Sequence, residues 1–214
     1  MKANEQLKYD VEQALSWAPS VHAEQIGVSV KDGVVELDGH VGSYYEKWAA
    51  EQGALRVASV TSIASEIQVD LTASRTDEDI AKASAHHLQW NLLVPGSVKV
   101  KVTDGWVTLQ GRVEWKFQRD EAERVIRPLL GVKGVTNEIQ LKPKVSATGV
   151  KTRIEDALKR DAQIDANSIS VETSGSTVTL RGSVQSWSER EEAEHVAYNA
   201  PGVSNVENRI EIRC

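Results

Sequence analysis

Cysteine, methionine and phenylalanine each occur once in this chain of 214 residues, proline occurs five times, and aromatic residues make up 5% of it. Cys214 has no partner within the chain, which excludes an internal disulfide framework and a cysteine-rich zinc site. At the very end of the sequence it reads as an incidental thiol. No segment approaches the roughly 18 consecutive apolar residues that a membrane-spanning helix needs. The opening, Met1 to Asp10, carries polar and acidic residues where a secretory signal would carry an apolar stretch, so the expected location is cytoplasmic, or periplasmic if a leader was trimmed.

Catalytic motifs are missing as well. There is no glycine-rich phosphate loop followed by Lys-Ser/Thr and no Gly-x-Ser-x-Gly elbow. His86 and His87 are adjacent, and neighbours on a helix point about 100° apart, so they cannot chelate one ion as an i, i+4 pair does. His22, His40 and His195 are scattered. The expectation is a protein that is not an enzyme, with no cofactor and no metal.

What the chain does contain is repetition. Lys31-Asp32-Gly33-Val34-Val35-Glu36-Leu37-Asp38-Gly39 returns as Thr103-Asp104-Gly105-Trp106-Val107-Thr108-Leu109-Gln110-Gly111 and again as Ser174-Gly175-Ser176-Thr177-Val178-Thr179-Leu180-Arg181-Gly182. Self-similarity at a fixed period means one structural unit repeated, here over 1–72, 73–144 and 145–214. A composition of 40% apolar and 26% charged residues is that of a globular protein. Units of about 70 residues lie near the small end of independently folding domains, so contacts between units should contribute to stability.

Each unit opens with a helix. Leu7, Val11, Ala14 and Leu15 recur at i, i+4, i+7 and i+8, as do Val150, Ile154, Ala157 and Leu158. In the middle unit the stripe becomes Ile80, Ser84, His87 and Leu88 once one residue is deleted near Pro95-Gly96. Two alternating strands follow, joined by Asp32-Gly33 and Asp104-Gly105, which suit two-residue turns with positive φ; Ser174-Gly175-Ser176 specifies its turn less strongly. A second helix spans roughly 43–58, 116–130 and 186–200, with Ala50, Ala122 and Ala193 at one shared position. Gly131 and Gly202 are placed to end it with positive φ, whereas Ser59 predicts a less regular exit in the first unit. A third strand runs through Ile67, Ile139 and Ile210. The fold class is therefore α+β, three tandem αββαβ units, each a three-stranded mixed sheet covered on one face by two helices.

The Gly-x-Val-x-Leu-x-Gly-x-Val hairpin of 33–41 and 105–113, the Ala-x-x-x-Val/Ala helix, and the Gly-Val-x-x-Val-x-Asn-x-Ile run of 202–210 resemble the BON domain family, named for bacterial osmotically inducible and nodulation proteins. Residues 131–139 match the last motif closely; the first unit departs from it, with Ser59 for glycine and Ser65 for asparagine, which makes its third strand the weakest part of the match. The resemblance implies a non-enzymatic binding module. Such modules are found in envelope-stress proteins and beside channel or secretin domains, contact phospholipid or other envelope components, and include a potassium-binding relative.

The net charge of −6 is unevenly spread: five basic against eleven acidic residues in 1–72, twelve against nine in 73–144, and eight against eleven in 145–214. The basic middle unit is where an anionic partner is sought. Strand alternation puts Lys99, Lys101, Trp106, Thr108, Gln110, Glu138, Gln140 and Lys142 on the open face of its sheet. The corresponding face of the first unit carries Ser29, Lys31, Val34, Glu36, Asp38, Glu66, Gln68 and Asp70.

The binding expectation is an anionic phospholipid or envelope protein held by Lys99, Lys101 and Lys142 around Trp106, in a stress-related role. The commoner fate of such residues is that lysines solvate a sheet face while the tryptophan packs against another unit; a third arrangement docks the acidic face of unit one on the basic face of unit two. Trp90, aligned with Trp17 and with Arg160, is a further candidate anchor, although capping a small core is the commoner role. Tyr44, Tyr45, Trp115, Phe117 and Trp187 are expected as lids over the hairpins or contacts between units. The structural alternative is a scaffold or homo-oligomer with its tryptophans buried between domains. Nucleic acid is a weak third option for an acidic chain with one exposed ring on the sheet.

Overall fold

A computed structural model describes residues 4–70, 75–142, 149–161, 168–200 and 202–213. The connecting stretches 71–74 and 143–148, and Cys214, lie outside them. The element order is α1 (Asn4–Ser16), β1 (Ile26–Lys31), β2 (Val34–Val41), α2 (Tyr44–Leu55), β3 (Ser62–Val69), then α3 (Asp77–Trp90), β4 (Lys99–Thr103), β5 (Trp106–Val113), α4 (Lys116–Ile126), β6 (Gly134–Leu141), and finally α5 (Val150–Arg160), β7 (Ile169–Ser174), β8 (Thr177–Val184), α6 (Trp187–Tyr198), β9 (Asn205–Ile212). Three separate three-stranded sheets result, ordered β1-β2-β3, β4-β5-β6 and β7-β8-β9. In each, the first pair is antiparallel and the second parallel, because the hairpin joins one pair and a helix the other.

The hairpin turns follow from their residues. Asp32 and Gly33 have φ of 52° and 81°, and Asp104 and Gly105 of 52° and 80°, the two positive values of a type I′ turn. Registers such as Lys31↔Val34 and Thr103↔Trp106 leave two residues in the loop. In β2, β5 and β8 alternate residues turn inward, so Val35 and Leu37, Val107 and Leu109, and Val178 and Leu180 sit in three distinct cores, at matching places. The first helices add Leu7, Val11 and Leu15; Ile80 and Leu88; and Val150, Ile154 and Leu158. His87 does not join the middle stripe: it is exposed, and only Ile80, Ser84 and Leu88 of that helix are buried.

Ser59 corrects one expectation. It adopts φ 74°, close to the 96° of Gly131 and 95° of Gly202, so the first unit leaves its helix as the others do, with serine forced into a region that favours glycine. The third strand of that unit forms over eight residues in full register with β2. Ser43 and Ser186 cap α2 and α6 by accepting from the backbone amides of Glu46 and Glu189. Glu46 is buried, and burial raises its pKa; hydrogen bonds from the His22 backbone, the His22 ring and the Gly42 amide outweigh this and hold it below the ordinary carboxylate value.

Candidate functional site

The middle sheet presents the face its alternation dictates. Lys99 and Lys101 of β4, Trp106 and Gln110 of β5, and Thr136, Glu138 and Gln140 of β6 are all exposed. Trp106 is half exposed yet does not stand free. Its indole nitrogen donates to Thr136 Oγ1 at 2.8 Å and its ring lies across Gly134, where an added Cβ would come within 2.5 Å of the ring, so the side chain is laid flat on its own sheet and half exposed. Gln110 donates to Glu138 at 2.8 Å, fixing part of the same surface. Lys142, past the end of β6, is engaged with Glu114 at 3.5 Å. Lys99 and Lys101 make no ion pair among the described residues.

The acidic face of the first sheet is equally open, with Glu36, Asp38, Glu66 and Asp70 exposed. The two faces therefore do not dock on each other. Trp90 belongs elsewhere: it ends α3, on the helix-covered side of the sheet, so the five residues chosen from the sequence divide between two surfaces. Trp90 is 74% and Trp17 83% exposed, which rules out the role of capping the core.

Beside Trp90 lies a feature that sequence reasoning missed. Leu92 is fully exposed and Leu93 half exposed. Their loop is held in place: Asn91 Oδ1 accepts from the Leu93 amide at 2.9 Å, Asn91 Nδ2 donates to Glu121 at 2.7 Å, and Val94 is anchored in the core. Glu121 is gripped in turn by both the Nε and an Nη of Arg124, at 2.6 and 2.7 Å. Those Arg124 bonds, against burial and with the Asn91 bond, hold its carboxyl below the ordinary value. A charged, fixed base thus supports an apolar tip. Comparison between units carried the signal: where the first unit has Pro19-Ser20, the middle unit has Leu92-Leu93 just ahead of the shared core valine, Val21 or Val94.

From the foot of this tip a groove of about 690 Å3 runs between α3 and β4, lined by Ala81, Ala85, Leu88 and Val94 with Lys82 and Lys99 on its rims. Lys82 is paired with Glu78 on the helix surface. Lys99 is therefore the cation common to the groove and the sheet face. The arrangement offers apolar contact area with positive charge nearby. No group of three or more His, Cys, Asp or Glu that could hold a metal occurs among the described residues, and no helix among them is long and apolar enough to cross a membrane.

Three αββαβ units, each with its own core and an uncovered sheet face, define a tandem-repeat α+β protein. The chain belongs to the BON domain family, whose sequence model matches residues 3–70, 76–143 and 146–214. It is 27% identical over 141 residues to osmotically-inducible protein Y of Escherichia coli K12, an alignment covering 62% of this chain and 70% of that protein. Among solved structures, CdsD, a structural protein of the type III secretion system of Chlamydia trachomatis, aligns over 97% of this chain and 92% of that chain, at 14% identity and a TM-score of 0.28. A C-terminal domain of the same protein aligns over 100% of both chains at 13% identity and a TM-score of 0.28.

Proposed function

We propose that this protein acts by binding rather than catalysis, and that the middle unit attaches it to an anionic phospholipid surface. The observation that carries the reading is the exposed Trp90 followed by the Leu92-Leu93 loop that Asn91 holds in place, close to an apolar groove whose lining includes Lys82 and Lys99, in the one unit with excess positive charge. A large contiguous apolar projection rimmed by polar groups marks an interaction site. Leucines of this kind enter the headgroup boundary while lysines add attraction to anionic lipid. Lys101 and Trp106, on the sheet face that shares Lys99, provide a second rank of charge and aromatic surface. Similarity to an osmotically-inducible protein favours a stress-related setting, and cytoplasmic residence would direct the tip to the inner leaflet.

Co-sedimentation with vesicles of neutral lipid, and of neutral lipid with about a third phosphatidylglycerol, tests this. Burying one leucine side chain is worth about 1.5–3 kcal/mol, so Leu92→Ser with Leu93→Ser should weaken binding to anionic vesicles by more than tenfold. Trp106→Ala should weaken it less. Equal binding of the wild type to neutral vesicles removes the electrostatic part of the reading. Concentration-dependent mass in light scattering without any vesicle response would favour self-association through the same tip.

A further inference from the structure

The second helices of the three units begin with Tyr44, Lys116 and Trp187, which are equivalent positions in the repeat. The first two of these opening residues reach beyond their own unit. Tyr44 packs against the core of the middle unit. Burial first, and then the charge of Glu123, raises the pKa of its phenol. One turn along, Trp48 lies under the guanidinium of Arg127 at 4.1 Å. Lys116, opening the middle helix, sits over the ring of Tyr198 in the third unit at 5.6 Å. Arg127 and Tyr198 are again equivalent positions. Two joints are thus built by one rule: the start of a second helix meets the end of the second helix in the next unit.

The rule leaves one start and one end unused. Trp187 and Glu191, at the start of α6, line a cleft of about 770 Å3 together with Gln52 and Arg56, at the end of α2. Other cations along the cleft are already engaged: Lys116 with Asp120 at 2.7 Å, Arg127 with Glu123 at 2.7 Å, and Arg190 with the Asn208 and Ile210 carbonyls while stacked on Trp187. Arg56 and Glu191 have no ion pair among the described residues, and they carry opposite charge. Leu55, partly buried against the core of its own unit, stands where Arg127 and Tyr198 stand in the other units.

We infer that the cleft is a third joint of the same kind in its open state, and that α6 closes on the end of α2 of the same chain, Glu191 pairing with Arg56 and Trp187 covering Leu55. The closed form is a ring of three units joined start to end. Continuity with the two joints already formed and the complementary charges select the chain's own first unit as the occupant. Because an exposed ion pair draws the ends together, closure weakens as salt shortens the screening length from about 30 Å at 0.01 M to about 3 Å at 1 M. The ring is a salt-responsive device, independent of the lipid-binding tip of the middle unit.

The test places cysteines at Gln52→Cys and Ser188→Cys, which line the cleft about one helical turn from Arg56 and Glu191, in a Cys214→Ser background. Under mild oxidation the monomer should form an internal disulfide, read as a faster-migrating band on a non-reducing gel, and form it more slowly as salt rises. Adding Glu191→Arg should slow the reaction about fivefold, the equivalent of about 1 kcal/mol for an exposed pair, and the further change Arg56→Glu should restore it. Arg56 and Glu191 are exposed and Gln52 and Ser188 are half-buried, and unchanged melting by circular dichroism checks the fold. A rate indifferent to the charge swap, a disulfide formed only between chains, or none at all would overturn the inference.

Discussion

At the scale of single residues, the asparagine of the Gly-Val-x-x-Val-x-Asn-x-Ile motif shows why the repeat is written as it is. Asn137 Nδ2 donates to the Arg119 carbonyl at 3.0 Å and to Glu123 at 3.1 Å, and its Oδ1 accepts from the Ile139 amide at 3.2 Å. Asn208 repeats the set with the Arg190 carbonyl, Glu194 and the Ile210 amide. One amide side chain therefore ties the third strand to the second helix. In the first unit Ser65 is too short to span the gap, and its hydroxyl is buried without a partner. Lys47 and Glu51 already stand where Arg119 and Glu123 do, and Lys47 reaches the Ile67 carbonyl at 2.8 Å. Ser65→Asn should complete the clamp. A net gain of about 1 kcal/mol per satisfied hydrogen bond corresponds to a rise of about 4–8 °C in the melting of a unit of this size. A melting temperature that stays level or falls would show that the site cannot admit the larger side chain.

At the scale of elements, the glycine that closes each hairpin motif is dictated by close approach. Gly39, Gly111 and Gly182 have φ of 134°, 148° and 137°. At each, a Cβ would run into a backbone carbonyl of the segment leading into the first strand, that of Gln25, Ser97 or Ser168; for Gly111 the separation would be 2.6 Å. Backbone cannot yield as a flexible side chain can. Gly111→Ala should therefore destabilise the protein by about 3 kcal/mol or more, combining a rarely occupied backbone region with a steric clash, and denaturant unfolding of the variant measures it. Loss of less than about 1 kcal/mol would mean the entry segment can swing aside. This glycine, the Asp-Gly turns and the alternating valines and leucines were legible because each is a local rule with few solutions. Ser59 was not, since nothing local announces that a serine will take positive φ; the constraint comes from the strand it must feed. The Leu92-Leu93 tip was not legible because two leucines directly before a core valine have the same sequence pattern whether they are buried or exposed, and His87 leaves the stripe without trace because one exposed position does not disturb a spacing defined by its neighbours.

At the scale of the whole molecule, the arrangement of the units was out of reach of periodicity, which reports what faces a unit's own core and says nothing of its neighbours. Tyr44 and Trp48 fit no buried stripe of the first unit because Tyr44 packs on the core of the second and Trp48 stacks under its Arg127. Tyr44 is the place to test whether the units share stability. Truncating a fully buried aromatic residue costs about 3–5 kcal/mol, and a partly buried one such as Tyr44 should lose roughly half of that. The telling measurement is where the loss appears. Amide hydrogen exchange of Tyr44→Ala should quicken in β6 of the middle unit, around Val135 and Ile139, although the substitution lies in the first unit. Tyr44→Phe keeps the ring and should preserve most of the protection. If exchange quickens only within the first unit, the units are stable separately and the joint is contact without coupling; acceleration in β6 makes the first two units one cooperative body.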